Sequence, residues 1–156
     1  PVFNTYFNKI SSEKEDVTIT YESMLHHNSL DYLLKDAEKK DLLAQHTTVG
    51  THKDDFSFMM NGFAVKKFCS QGQQKTFLIS LKLSHYEYLK HVKNIKPLLL
   101  LDDVFDKLDD QRVEKLMSLV AEKEFGQVFI THVQKKSMEN LFSKSDINFK
   151  IHELIH

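Results

Sequence analysis

"SQGQQKTFLISLKLSHYEYLKHVKNIKPLLLLDD", residues 70 to 103, runs from a polar, glycine-containing knot through a long apolar-faced segment into a leucine run that ends on two aspartates. From Gln73 to about His91 the segment carries Phe77, Leu78, Leu81, Leu89 and Val92 on one side and Ile79, Leu83 and Tyr86 on another. So wide an apolar face predicts a helix packed against a sheet. The run "PLLLLDD" (97–103) is continuous and apolar until it meets carboxylates, the pattern of a central parallel strand buried on both faces. Ser70 and Gln73 stand at capping-box spacing, in which the serine oxygen accepts a backbone N–H and the glutamine side chain reaches back. The cap leaves Gly72 unexplained, since a glycine inside a helix costs about 1 kcal/mol relative to alanine. A glycine there lets backbone approach a ligand, and a helix start with free N–H groups suits a terminal phosphate.

The rhythm of helix and strand continues downstream. Val113, Leu116, Met117 and Val120 mark a helix that Gly126 is expected to stop, and "QVFIT" (127–131) reads as a second strand. A third helix is expected near 134 to 142 and a final edge strand over "INFKIHELI" (147–155). Strands alternating with helices predict parallel βαβ units with right-handed crossovers. Upstream, "DVTITYES" (16–23) alternates as a strand, and "SLDYLLKDAEKKDLLAQH" (29–46) places Leu30, Leu33, Leu34, Ala37 and Leu42 at helical spacing. In "DFSFMMNGFAVKKF" (55–68), Asn61-Gly62 between two strand-like runs predicts an antiparallel hairpin, because both residues tolerate positive φ. The fold class expected is therefore α/β, a parallel core over 69–156 with a strand, helix and hairpin region over 1–68.

Composition sets the bounds. A chain of 156 residues amounts to about one domain that buries roughly two thirds of its unfolded surface. With only 4 Gly and 2 Pro there is no linker-like tract, so one compact unit over 1–156 is expected. A formal net charge of -1 means that any grip on a polyanion comes from a local patch or a partner. The single Cys69 rules out an internal disulfide and fits a reducing, cytoplasmic setting. No apolar run approaches the roughly 20 residues that span a bilayer. The chain opens on Pro1, which points to a piece cut from something longer.

In open α/β sheets ligands bind beyond the carboxyl ends of the strands, where Asp102 and Asp103 stand. A hydrophobic strand delivering two adjacent carboxylates has the form of a Walker B element, the first holding Mg²⁺ and the second orienting or deprotonating the attacking water. The plain alternative is that both aspartates, with Asp106, end a strand and solvate a turn. The order of motifs adds weight: "SQGQQ" opening a helix, "LLLLDD", "DKLDD" (106–110) and a strand ending in "ITH" (130–132) follow the order of signature motif, Walker B, D-loop and switch histidine in ABC-type ATPases.

Through "TTVGTHKDDFSF" (47–58), "SQGQQKTFLISLKL" (70–83) and "PLLLLDDVFDKLD" (97–109) the chain resembles the C-terminal half of the RecF family, recombination mediator ATPases related to SMC proteins, over nearly its whole length. The resemblance implies the C-terminal lobe of a P-loop ABC/SMC-like ATPase. It implies that Ser70, Gly72 and Gln73 contact the γ-phosphate of ATP held by an opposite subunit, that Asp102 binds Mg²⁺ and that Asp103 stands where many relatives carry a catalytic Glu. Asp109 would be the D-loop aspartate at the dimer interface and His132 the γ-phosphate sensor, for which the alternative is a histidine satisfied at a strand end. Asp103, a methylene shorter than Glu, implies slow hydrolysis, and Cys69 stands where classical ABC proteins have Leu. The family context implies an ATP-closed homodimer on double-stranded DNA near gaps, RecR-type mediator partners, and roles in DNA replication, recombinational repair and the SOS response.

A P-loop needs G-x-x-x-x-G-K-[ST], and none of the glycines at 50, 62, 72 and 126 has another five residues on. These residues therefore hold no Walker A motif. The expectation is a lobe whose P-loop lies upstream, with this piece alone neither binding ATP tightly nor hydrolysing it. The competing reading is a free-standing metal-dependent phosphohydrolase or nuclease built on Asp102, Asp103 and His132; a third is a degenerate lobe kept for protein contacts. "THKDD" (51–55) gathers His52, Asp54 and Asp55, which could mimic metal ligands but read more simply as a solvated turn. His26-His27 show no zinc spacing, and Lys66-Lys67 and Lys135-Lys136 could touch phosphates or merely solubilise. No alternation of aromatic and basic residues marks a single-strand platform.

Overall fold

The computed structural model describes residues 1–122, 124–133, 139, 142 and 148–153. In chain order its helices and strands are α1 (Val2–Ile10), β1 (Val17–Glu22), α2 (Leu30–Ala44), β2 (Asp55–Met60), β3 (Phe63–Ala64), α3 (Val65–Phe68), α4 (Gln71–Lys93), β4 (Leu99–Leu101), α5 (Asp110–Val120) and β5 (Val128–Ile130). Their contacts group into two compact units, one made of Pro1–Glu15 with Ser70–His156 and the other of Asp16–Cys69. This is a finer division than the single unit expected. Its two crossings, Glu15 to Asp16 and Cys69 to Ser70, carry neither Pro nor Gly, so composition does not mark them.

The inserted unit is built on an antiparallel sheet in the order β1-β2-β3, with Val17 opposite Met60 and Glu22 opposite Asp55. The turn is where Asn61-Gly62 places it, at φ of 50° and 81°, the positive values a tight two-residue hairpin demands. The return strand is only two residues long and passes at once into the single turn α3, where a longer strand was expected. α2 starts at Ser29, whose hydroxyl oxygen accepts the Tyr32 N–H, and ends at Gln45 in the left-handed region. Leu33 and Ala37 join Val49 in a small buried cluster, but Leu30, Leu34 and Leu42 of the same expected face are exposed.

The other unit holds the main core. α1, which the periodicity did not anticipate, buries Tyr6, Phe7 and Ile10 and packs on α4 and α5. Burial and the neighbouring Glu87 carboxylate push the Tyr6 phenol up to about 12. α4 has both halves of the capping box, and Ile79, Leu83 and Tyr86 are buried as expected with Phe77. Leu78 and Val92 are exposed instead, and their places in the interior go to Thr76 and Ser80, both fully buried. Their hydroxyls donate to the carbonyls of Gly72 and Thr76 at 2.9 and 2.8 Å, so neither is an unsatisfied polar group.

β4 and β5 pair in parallel, Leu99 opposite Val128 and Leu101 opposite Ile130, and α5 joins them through buried Val113, Leu116, Met117 and Leu119. The leucine run departs from expectation on one side. Leu99 and Leu101 are buried, whereas Leu98 and Leu100 are 62% and 64% exposed and Phe129 lies 48% exposed. With period-2 alternation this leaves one sheet face covered and one open within these residues. Gly126 does not stop α5, which ends at Val120; it lets the chain pass Lys96 and Pro97, where a Cβ would come within 3.1 Å of the Lys96 Cβ. The expected third helix (134–142) falls largely outside the described residues, as do Lys135 and Lys136. Residues 148–153 carry no strand, contrary to the expected edge strand. No helix among the described residues is long and apolar enough to cross a membrane.

Leu116→Ala removes a side chain with no exposure, and the cavity should cost about 2–5 kcal/mol of stability. Leu100→Ala should stay within about 0.5 kcal/mol. Urea unfolding of the two variants checks the difference, and equal losses would contradict the open face.

Candidate functional site

Three chain segments meet at one end of the larger unit. The first is the tip of α4. The Gln73 N–H donates to Ser70 Oγ at 3.2 Å and the Ser70 N–H to Gln73 Oε1 at 2.8 Å. Ser70 and Gln71 are exposed, Gly72 and Gln73 half-buried. Because the Ser70 oxygen is already an acceptor, its hydroxyl proton is left to donate outward. The Gln73 carboxamide is committed at both ends, since Nε2 donates to Glu15 Oε1 at 2.5 Å. Within this chain Gln73 holds the tip, and Ser70 with the leading backbone N–H groups presents it.

The second segment is the acidic end of β4. Thr131, at the end of β5, donates its hydroxyl to Asp102 Oδ1 at 2.5 Å and accepts the Asp103 N–H at 2.9 Å. Lys75, on the first turns of α4, donates Nζ to the Asp103 carbonyl at 2.8 Å. Asp103 sits at φ 46°, a left-handed conformation that Asp tolerates better than most residues. Its main chain is thus pinned from two sides, while its carboxylate makes no hydrogen bond among the described residues. His132 packs edge-on against Phe105 with ring centroids 5.7 Å apart, and its buried Nδ1 has no partner among the described residues.

The third segment opens α5. Asp109 is its N-cap, with Oδ1 accepting the Arg112 N–H and Oδ2 accepting Arg112 Nη1, both at 2.9 Å. A Cβ on Gly72 would lie 2.9 Å from the Lys107 carbonyl oxygen and 3.3 Å from Arg112 Nη1. Gly72 therefore has an intrachain reason: it lets the α4 tip close on the loop that leads from Asp103 to Asp109. Lys75, Thr131, Arg112 and Glu15 were not singled out by sequence. Thr131 lies within "ITH" and Arg112 at cap spacing from Asp109, so both had a local signal; Glu15 lies 58 residues from Gln73 and had none.

Asp102 offers one carboxylate oxygen beyond the one bound by Thr131. That fits Mg²⁺, which keeps several waters and takes one or two carboxylates with phosphate oxygens. It does not fit a self-sufficient metal cage, and no group of three or more His, Cys, Asp or Glu among the described residues is placed to hold a metal ion. The free-standing hydrolase reading thus finds no support.

In the inserted unit, Asp54 accepts a hydrogen bond from the Tyr21 hydroxyl. His52 Nε2 lies 3.1 Å from the Thr47 carbonyl oxygen. Asp55 bonds the next backbone N–H, so "THKDD" is a hydrogen-bonded turn leading into β2. The bond from Tyr21, aided by Ser23, lowers the Asp54 carboxyl below its usual range, and the same bond raises the Tyr21 phenol.

No family model matches the chain. It is 43% identical over 151 residues to the DNA replication and repair protein RecF of Azobacteroides pseudotrichonymphae, covering 97% of this chain and 41% of that protein. To the protein of the same name from Flavobacterium johnsoniae it is 42% identical over 154 residues, covering 99% and 43%. Among solved structures it resembles the recombination mediator protein RecF-ATP of the RecFOR pathway, with a TM-score of 0.64 and 31% identity over 87% of this chain and 42% of that one. The RecF-ATPrS structure gives 0.61 and 28% over 85% and 40%. The chain spans about two fifths of the length of the relatives it matches.

Gly72→Ala gains helix propensity worth about 1 kcal/mol, yet its new methyl meets the Lys107 carbonyl; a net loss of about 1–3 kcal/mol is expected in urea unfolding. A stabilised variant would contradict the close approach. For the Tyr21–Asp54 pair the signs are opposite. The raised Tyr21 contributes stability that is full below the ordinary tyrosine range and lost as pH rises through its raised value. The lowered Asp54 contributes stability that is full above the ordinary aspartate range and lost as pH falls through its lowered value. Tyr21→Phe should return the Asp54 carboxyl upward in an NMR titration.

Proposed function

The chain corresponds to the C-terminal part of RecF-family proteins, and on that premise we propose that it supplies half of a composite ATP site in a DNA replication and repair protein. Ser70, Gly72 and Gln73 form the signature tip that meets the γ-phosphate of ATP bound by a second subunit. Asp102 holds Mg²⁺, Asp103 orients the attacking water, Asp109 lies at the subunit junction and His132 reads the γ-phosphate. The P-loop comes from an N-terminal lobe, and the open face of Leu98, Leu100 and Phe129 supports such a covering lobe. The closed homodimer holds double-stranded DNA near gaps in the cytoplasm and recruits RecR-type partners, and slow hydrolysis reopens it.

What carries this reading is the exposed Ser70 hydroxyl and leading N–H groups of α4, held on one surface with the acidic end of β4. The donors favour an anion and the helix dipole adds to them. Mg²⁺, when bound, offsets phosphate charge. The chain's own groups do the rest: Thr131 orients the Asp102 carboxylate, and Lys75 and Thr131 hold the Asp103 backbone. Preorganised groups of this kind cost no rearrangement at the moment of reaction. This lobe alone is expected neither to bind ATP tightly nor to turn it over.

Ser70→Asp separates the cap from the phosphate contact, because aspartate caps a helix as well as serine but repels an anion. Stability should change by less than about 0.5 kcal/mol, while ATP-dependent dimerisation of the full-length protein weakens by about tenfold or more. Analytical ultracentrifugation with and without ATP measures it, and unchanged dimerisation would remove Ser70 from the site.

A further inference from the structure

We propose that Glu15 is a positioning residue that fixes the Ser70 end of α4 through the Gln73 carboxamide, at the two points where the chain leaves and re-enters the larger unit. Glu15 is 6% exposed, an unusual place for a carboxylate. It accepts hydrogen bonds from Ser11 Oγ at 2.7 Å and Gln73 Nε2 at 2.5 Å. A carboxylate only accepts and a backbone N–H only donates, so Gln73, bridging Glu15 and the Ser70 N–H, has one amide orientation. That orientation completes the capping box and leaves the Ser70 hydroxyl proton free to point outward. A capping box without such an anchor lets the glutamine side chain rotate away.

The place of Glu15 in the chain gives the contact a second consequence. Residues 16–69 form the inserted unit, so Glu15 and Ser70 are the last residue before it and the first after it. The Glu15–Gln73 hydrogen bond that sets the helix tip therefore also joins the chain segments on either side of the insertion.

Amide hydrogen exchange on the 156-residue chain tests this. Glu15→Ala should speed exchange of amides 70, 73 and 74, the hydrogen-bonded ones at the tip, by roughly tenfold or more while amides 79–86 stay within about twofold. Gln73→Glu should do the same, since two carboxylates then face each other. Glu15→Gln should stay near the parent chain, because the amide still accepts from Gln73 and can donate to Ser11 Oγ, whose proton has the Glu13 carbonyl 3.0 Å away. The paired swap, Glu15→Gln with Gln73→Glu, restores complementary donors and acceptors and should recover the protection lost in Gln73→Glu. Unchanged exchange at 70, 73 and 74 in Glu15→Ala, a uniform rise along the chain, or a swap that recovers nothing would each overturn the proposal. The link to nucleotide rests on the signature-motif reading: in the full-length protein Glu15→Ala should weaken ATP-dependent dimerisation. A parent protein that never dimerises with ATP would sink that reading and leave the exchange result standing.

Discussion

The carbonyl oxygen of Lys107 lies so close to the first turn of α4 that a Cβ at position 72 would come within 2.9 Å of it. Only a hydrogen fits there without displacing backbone, so the approach of helix to loop depends on glycine. Once the two have closed, Arg112 fills the remaining space with its side chain 12% exposed and pairs with Asp109, while Lys75 reaches the Asp103 carbonyl. The loop itself is bent by left-handed residues at Asp103 and Lys107, conformations that cost of order 1–2 kcal/mol in L-residues. At Asp103 the N–H bond to the Thr131 hydroxyl oxygen and the Lys75 bond to the carbonyl offset that strain. Helix tip and acidic strand end thereby become parts of one surface, although 30 residues of helix and strand separate them in the chain.

What could be read from sequence was whatever sits within a few residues of its partner. The Ser70–Gln73 box, the Asn61-Gly62 turn and the Asp109 cap are all local, and each follows from the donors and acceptors of neighbouring residues. The sides of α4 were harder. Thr76 and Ser80 are interior because their hydroxyls satisfy themselves on the preceding turn, while Leu78 and Val92 face out; hydropathy orders those four the wrong way. The leucines at 98–101 form an unbroken apolar run, which says that both faces of a strand prefer cover without saying that this chain supplies it. Gly72 was legible as a residue needing close approach, but not as one facing the chain's own carbonyl. Glu15 lay beyond reach, since its partner enters from 58 residues away across the inserted unit.

The two ends of this surface favour opposite charges. The tip of α4 presents a hydroxyl and backbone N–H groups at the positive end of a helix dipole and so favours an anion. The end of β4 presents Asp102 and Asp103 and so favours a cation. A magnesium nucleotide carries both charges, but seating it takes a phosphate cradle of glycine N–H groups and a neutralising lysine, and the glycine spacing in these 156 residues cannot form one. On the proposed reading the two ends serve opposite pockets of a two-subunit assembly, each completed by groups from outside these residues. Asp103 is exposed, so water solvates its carboxylate while Thr131 and Lys75 hold its main chain. With the backbone fixed and the carboxylate turned to solvent, a cation or polar group that meets this end finds it already arranged, and little rearrangement is left for binding to demand.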